Sequence, residues 1–328
     1  MGPHYLDHLF SPRSIAVFGA SERENALGTI VFHNLIDGGF KGELYPINPK
    51  HHSVQGKHAY KNISDISKTI DLALVTTPAK TVPDIVRQCG EHGIKAMVIL
   101  SAGFSEAGKE GERLQNLILE HAQHYGIRII GPNCLGIMRP PRSLNATFSH
   151  NIARPGKMAL VSQSGAICTA VLDWAQSRQI GFSAMISLGS ATDIDFGEIL
   201  SYLALDPYTH SILLYIEGIR DARSFMSSLR IAARLKPVVV VKSGRFQEGS
   251  NAIMSHTASI VGSDDVFYAA LRRAGVVRAY SIQQLFSAAE LLANQGNRVN
   301  GNRLAIVTNG GGPGVMATDH AVESNVVM

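Results

Sequence analysis

Cysteine and tryptophan are scarce in this sequence, with three and one among 328 residues. Cys89, Cys134 and Cys168 are scattered, with no CxxC and no Cys/His spacing. That pattern argues against a disulfide framework and a structural zinc site, so no metal ligands are assigned. It suits a reducing cytoplasm. Long apolar runs are also missing: none approaches the ~18 residues of a membrane helix, and MGPHYLDHLFSPRS at the start lacks the basic end and apolar core of a signal peptide. Leu6 stands where a myristoylation pattern needs Ser or Thr. No membrane partner is expected. There is little excess charge of either sign: 30 Lys+Arg against 26 Asp+Glu leave +4, which suits an anionic ligand but is far from the basic stripe of a nucleic-acid binder. With 17% charged and 45% apolar residues, the chain has material for ordinary cores and too little charge for disorder or a coiled coil.

What is present is a rhythm of short β-branched runs, each ending in small or polar residues and followed by a helix-compatible stretch, the pattern of βαβ units and mainly parallel sheets. The first series is Ser14–Phe18, Glu43–Ile47, Asp71–Val75, Lys95–Leu100 and Ile127–Ile130. It predicts one doubly wound α/β domain over residues 1–144. The second series is Lys157–Val161, Ser183–Leu188, Ser211–Ile216 and Pro237–Val241, then a helical stretch Val266–Arg273 and a short run Gly275–Ala279. It predicts another α/β domain over 145–298. After a breaker-rich stretch, RLAIVTNGGG from Arg303 repeats the pattern of KMALVSQSG from Lys157, so residues 299–328 read as the opening strand and helix of a third unit resembling the second. At roughly 150 residues per domain, this third unit accounts for the length beyond two domains.

Candidate sites fall at the strand ends. Gly19-Ala20-Ser21 follows the first strand, and Gly28 begins an apolar helix whose free N–H groups and dipole attract phosphate. The spacing is not GxGxxG, so the dinucleotide fingerprint is absent. A plain turn accounts for Gly-Ala-Ser equally well, but Asn48-Pro49-Lys50, Thr76-Thr77-Pro78, Ser101-Ala102-Gly103 and Gly131-Pro132-Asn133 dress the neighbouring strand ends in the same way, where doubly wound sheets bind ligands. In the second domain Ser162-Gln163-Ser164-Gly165 leads into a helix, either as an anion cradle or as ordinary capping. Glu217-Gly218 ends another strand, and most such acids are merely solvated. His256, in Ser255-His256-Thr257-Ala258-Ser259, follows a long Gly/Ser-rich loop that opens with Lys242-Ser243-Gly244-Arg245. A neutral imidazole can attack phosphorus, a carboxylate such as Glu217 can fix its tautomer, and a helix N-terminus can hold the phosphoryl oxygens. This constellation supports a transiently phosphorylated histidine.

Through SIAVFGAS, YPINPK, IIGPNCLGI, LNATF, VSQSGA, LYIEG, KSGR, SHTAS and TNGGGPGV, the chain closely resembles the nucleoside-diphosphate-forming acyl-CoA synthetases, typified by ADP-forming acetate–CoA ligase and related to the succinyl-CoA synthetase α subunit. The resemblance implies a Rossmann-like CoA-binding domain followed by a flavodoxin-like, succinyl-CoA synthetase-like domain. It places Gly19, Ser21, Lys50, Pro78, Ser101 and Asn133 on the CoA side. It makes His256 the phosphocarrier, Glu217 its catalytic partner and Ser164-Gly165 the phosphate cradle. The implied ligands are CoA or acyl-CoA, a small carboxylic acid and phosphate. ADP or ATP with Mg would enter through an ATP-grasp partner, either a β-type subunit or further C-terminal domains. Ala258 replaces the glycine of the family's usual SHTG. LDWAQSRQIGFS, DARSFM and AARLKPVVVVKSGR resemble in particular the synthetase-like region of bacterial GNAT-fused protein lysine acetyltransferases. In some of those the histidine is lost and the region senses acyl-CoA. That makes an acyl-CoA-sensing regulatory region the alternative, against which the retained His256 weighs.

Overall fold

The computed structural model describes residues 4–246, 263–294, 301–324 and 326–328. Met1–Ala293 form one compact unit and Asn294–Met328 a second.

In the first unit the chain builds β1 (Ser14–Phe18), β2 (Glu43–Ile47), the small hairpin β3 (Ser53–Val54) and β4 (Lys57–His58), β5 (Leu72–Val75), β6 (Ala96–Ile99) and β7 (Arg128–Ile130). The helices among them are α1 (Asp7–Phe10), α2 (Leu27–Asp37), α3 (Val82–Glu91) and α4 (Lys109–Tyr125). The runs SIAVF, LALV and AMVI are buried at every position, as strands covered by helices on both faces must be. The parallel sheet has the order β2-β1-β5-β6-β7, so the chain reverses its direction of travel between β1 and β5.

Two further strands follow, β8 (Gly136–Arg139) and β9 (Leu144–Thr147), and then β10 (Pro155–Ser162), α5 (Gly165–Ser177), β11 (Phe182–Ser187), α6 (Phe196–Leu205), β12 (Ser211–Ile216), α7 (Ala222–Leu235) and β13 (Val238–Lys242). After the undescribed stretch come α8 (Asp264–Ala274), β14 (Val277–Ala279) and α9 (Ile282–Asn294). The second sheet has the order β14-β13-β12-β10-β11-β8-β9. Its five parallel strands repeat the order of the first sheet, with the reversal between β10 and β12. The β8–β9 hairpin joins the far edge, antiparallel to β11 through Met138↔Met185 and Ile137↔Ile186. The boundary expected at Leu144 therefore falls inside a hairpin of the second sheet.

The two sheets share one core, in which Ile130, Ile137, Ile186 and Phe196 are among the buried members. Polar bonds cross the same junction. Arg128 Nε lies 3.0 Å from Asp193 Oδ2, its Nη2 also pairs with Glu198, and the Ile129 N–H donates to Asp193 Oδ2 at 2.7 Å. Asn34 of α2 donates to the carbonyls of Thr147 and Ser149 at 2.8 Å each. Deep in the junction, Arg139 and Asp206 form an ion pair at 3.0 Å with side chains 1% and 3% exposed.

In the second unit, α10 (Gly311–Glu323) forms as expected. The RLAIV run before it makes no strand: among the described residues its ladder contact is the bridge Arg303↔Val327, and Val307 is 97% exposed. Its counterpart β10 is held by parallel neighbours on both sides, and no such neighbours flank Arg303–Val307 among the described residues.

Candidate functional site

In doubly wound sheets the crevice at the strand-order reversal, outside the carboxyl ends, is where loops part and ligands enter. In the first sheet that crevice lies between the ends of β1 and β5. Gly19 adopts φ +86°, a region open to glycine. The N-terminus of α2 approaches so closely that a Cβ on Gly28 would sit 1.9 Å from the Gly19 carbonyl oxygen and 2.8 Å from Thr76 Oγ1. Thr76 Oγ1 donates to the Phe18 carbonyl at 2.8 Å, tying the two strand ends together. Helix α2 has no side-chain cap at Ala26, and its Thr29 N–H turns back to the Ala26 carbonyl at 2.9 Å. Ser21 accepts from the Arg23 N–H at 3.0 Å through Oγ. Asn48 Nδ2 donates to the Ala20 carbonyl at 2.7 Å, and Asn48 Oδ1 accepts from the backbone N–H of exposed Lys50. Pro78 is exposed at the start of a short 3₁₀ turn. Ser101 is buried, its hydroxyl donating to the Thr77 carbonyl at 2.5 Å, so toward a ligand it can only accept. Asn133 is exposed, with φ +54°, and its N–H donates to the Ser101 carbonyl at 2.9 Å. The structure thus gathers Gly19, Ser21, Lys50, Pro78, Ser101 and Asn133 along the carboxyl edge of one sheet.

The second crevice lies between β10 and β12. Ser164 caps α5, its Oγ accepting from the Ile167 N–H at 3.4 Å, and Gly165 is the first helical residue. Ser162 Oγ braces the turn, accepting from the Ser164 N–H at 3.0 Å and donating to the Ser164 carbonyl at 2.8 Å. Gln163, read in the sequence only as part of the turn, links the crevice: its buried Oε1 accepts from the N–H groups of Glu217 at 2.7 Å and Gly218 at 3.0 Å. The cradle and Glu217 are therefore fixed to each other. Glu217 is 7% exposed. His256 lies outside the described residues.

The carboxyl edges of the two sheets touch at the turns after β7 and β11. Gly189, after β11, passes so near the first domain that a Cβ would fall 2.3 Å from the Pro132 carbonyl oxygen and 2.4 Å from that of Asn133. The Ser190 N–H donates to the Pro132 carbonyl at 3.0 Å. Beside this contact a cavity of about 950 Å³ opens, lined by Gln115 and Asn116 of α4 and by Thr192, Glu217, Lys242 and Phe267 of the second domain. In the sequence Lys242 only opens the Gly/Ser-rich loop that leads to His256 and carries no role of its own. It is in fact 6% exposed. Burial holds its ammonium below the usual lysine range, Asp264 counteracts that and Arg278 adds to it. Asp195, near the same strand ends, is held above the usual carboxylate range by burial, against the N–H bonds from Phe196 and Arg220 that favour its charged form.

Fold and site together define a two-domain segment with a CoA-binding module and a flavodoxin-like module. Residues 13–140 match the family model of a CoA-binding domain, and residues 155–292 match that of a succinyl-CoA ligase-like flavodoxin domain. Over 325 residues the chain is 41% identical to the α subunit of acetate–CoA ligase (ADP-forming) I of Pyrococcus furiosus, covering 98% of this chain and 70% of that subunit. Over 314 residues it is 44% identical to acetate–CoA ligase (ADP-forming) I of Archaeoglobus fulgidus, covering 96% of this chain and 45% of that protein. The solved dinucleotide-forming acetyl-coenzyme A synthetase 1 of Ca. Korarchaeum cryptofilum, in complex with phosphate and ADP, superposes with a TM-score of 0.94 at 35% identity, over 98% of this chain and 69% of that one. The chain belongs to the family of ADP-forming acetate–CoA ligases, on the α-subunit side. Among the described residues no helix is long and apolar enough to cross a membrane.

Proposed function

We propose that this chain is the α-type portion of an ADP-forming acyl-CoA ligase working in a reducing cytoplasm, and that it performs two of the three chemical steps. In the first, phosphate attacks the thioester carbon of an acyl-CoA, the C–S bond breaks, and acyl phosphate and CoA result. In the second, His256 attacks the phosphorus of the acyl phosphate, the P–O bond to the acyl group breaks, and the free acid leaves. An ATP-grasp partner then moves the phosphoryl group to ADP, with Mg. CoA lies along the first sheet, with Gly19, Ser21, Lys50, Pro78, Ser101 and Asn133 lining its path. Ser164 and Gly165 hold the phosphate, and Glu217 orients the imidazole and steadies its charged form. The observation that carries this reading is the contact between the carboxyl edges of the two sheets: the turn holding Asn133 abuts the turn after β11 in the second domain, on whose strand ends Glu217 is locked to the cradle through Gln163.

The test combines the protein, an ATP-grasp β-type subunit of the family, Mg²⁺ and ATP labelled in the γ-phosphate. An acid-labile phosphoprotein is expected, lost in His256→Ala. Label that survives this substitution overturns the assignment. CoA binding with no phosphoryl transfer from any ATP-grasp partner supports instead the regulatory region of a protein lysine acetyltransferase.

A further inference from the structure

Lysine is almost never buried without a charged partner, because its ammonium loses hydration that neutral groups do not fully replace. Lys242 is 6% exposed on the cavity wall. Its hydrogen-bond acceptors among the described residues are two backbone carbonyls, those of Ser243 at 3.3 Å and Gly244 at 3.2 Å. Its ammonium lies 5.7 Å from the centre of the Phe267 ring, which also lines the cavity. Asp264, on the following helix, acts on Lys242 but is itself held by both oxygens to Arg278, at 2.6 and 2.7 Å. Two cations therefore share one acid there. Lys242 also sits directly beside the crevice: it pairs in register with Ile216, the residue before Glu217. A carboxylate at the edge of a phosphate site repels the phosphoryl oxygens, and a fixed cation one strand away offsets that repulsion. A lysine is suited to this as a compact point charge whose protons can turn toward whichever oxygen is presented.

We propose that Lys242 is a phosphoryl-binding residue of this site, its ammonium drawing the phosphate or acyl phosphate into the cavity next to Glu217. The inference rests on the ligase reading above and adds a residue to it. The shared chemistry is a phosphoryl group, whether free phosphate or the acyl ester.

The test uses the chain assembled with an ATP-grasp partner, in wild-type, Lys242→Gln and Lys242→Arg forms, measuring KM for phosphate and for acetyl-CoA separately. Loss of a charged hydrogen bond is expected to raise the phosphate KM of Lys242→Gln about tenfold to a hundredfold, with the acetyl-CoA KM within about twofold and most of the loss restored by Lys242→Arg. A phosphate KM unchanged in Lys242→Gln overturns the proposal, as does an equal rise in both KM values, which marks a merely structural lysine. Should the wild-type assembly show no ligase activity, the functional reading fails. The site is then judged by the rise of the unfolding midpoint with added inorganic phosphate: a rise in wild type that vanishes in Lys242→Gln supports the proposal, and none in either overturns it. Should the glutamine variant not fold, reductive methylation of the wild type reads the same site. Protection of Lys242 by phosphate supports the proposal, and equal modification with and without phosphate overturns it.

Discussion

Gly28 and Gly165 each stand at the start of a helix that follows the first parallel strand of its sheet, yet the structure asks different things of them. A Cβ on Gly28 would lie 1.9 Å from the Gly19 carbonyl oxygen, about 1.5 Å short of ordinary contact at 3.4 Å, and the Gly19 carbonyl carbon and Thr76 Oγ1 are also too close at 2.6 and 2.8 Å. Two of these three atoms are backbone, so α2 and the Gly19 turn must separate. Overpacking costs about 1–3 kcal/mol, and with a backbone obstacle the upper end applies. Alanine recovers at most about 1 kcal/mol of helix propensity. The net loss for Gly28→Ala is about 2 kcal/mol, or about 4–8 °C in Tm at the usual 2–4 °C per kcal/mol for a unit of this size. A Cβ on Gly165 meets the Leu135 Cβ at 3.4 Å, an ordinary contact, so Gly165→Ala should leave Tm within about 2 °C by the same reasoning. Differential scanning calorimetry measures both. Titration with CoA should show weaker binding by Gly28→Ala, because the turn carrying Gly19 and Ser21 has moved. The reasoning is refuted if Gly28→Ala melts within a degree of wild type, or if the two variants lose equal stability.

Three further outcomes follow from individual side chains. Cys89, Cys134 and Cys168 are buried free thiols, and burial raises all three, those of Cys134 and Cys168 to about 12. At pH 8 about one molecule in ten thousand carries either of those two as thiolate, so Ellman's reagent should label no thiol of the native protein within minutes and all three in denaturant; rapid native labelling would contradict this burial. Removing one member of a buried ion pair strands the other, so Arg139→Met should cost about 3–5 kcal/mol in chemical denaturation. Arg139→Met/Asp206→Leu should recover part of it; a double variant no more stable than the single would count against a stranded Asp206 as the cause. His210 lies at an exposed position, and partial desolvation first, then Lys157 and Lys236, hold it below the usual histidine range. The folded protein therefore binds fewer protons there than the unfolded chain, and stability falls as pH drops from the ordinary histidine value toward the depressed one. Between pH 7.5 and 5.5 wild type should lose more stability than His210→Asn, and equal losses would remove His210 as a contributor.

Much of the fold was legible because breakers mark strand ends. The runs Ser14–Phe18, Glu43–Ile47 and Ser211–Ile216 coincide with β1, β2 and β12, and the stretch Val266–Arg273 lies within α8. The β8–β9 hairpin was not legible. Its two four-residue strands flank a Pro-Pro turn, and only the distant β11 edge gives them a sheet to join. The RLAIV run shows the converse: a good strand pattern without flanking strands stays unpaired. The strand-end positions of Ser164 and Glu217 could be read for the same reason as the strands. Lys242 and Gln115 could not, because the sequence places each on an element but not against the opposite domain that encloses the cavity.

The hairpin has a consequence for dissecting the molecule. The two family matches end at residue 140 and begin again at 155, so cuts at those limits would strand β8 with the first piece, discard β9 and leave β11 as an open edge, with the side of Met185 and Ile186 that β8 covers uncovered. An uncovered apolar strand edge invites pairing with another chain. Expressed apart, the second module should self-associate through that edge unless it carries residues from Gly136 onward.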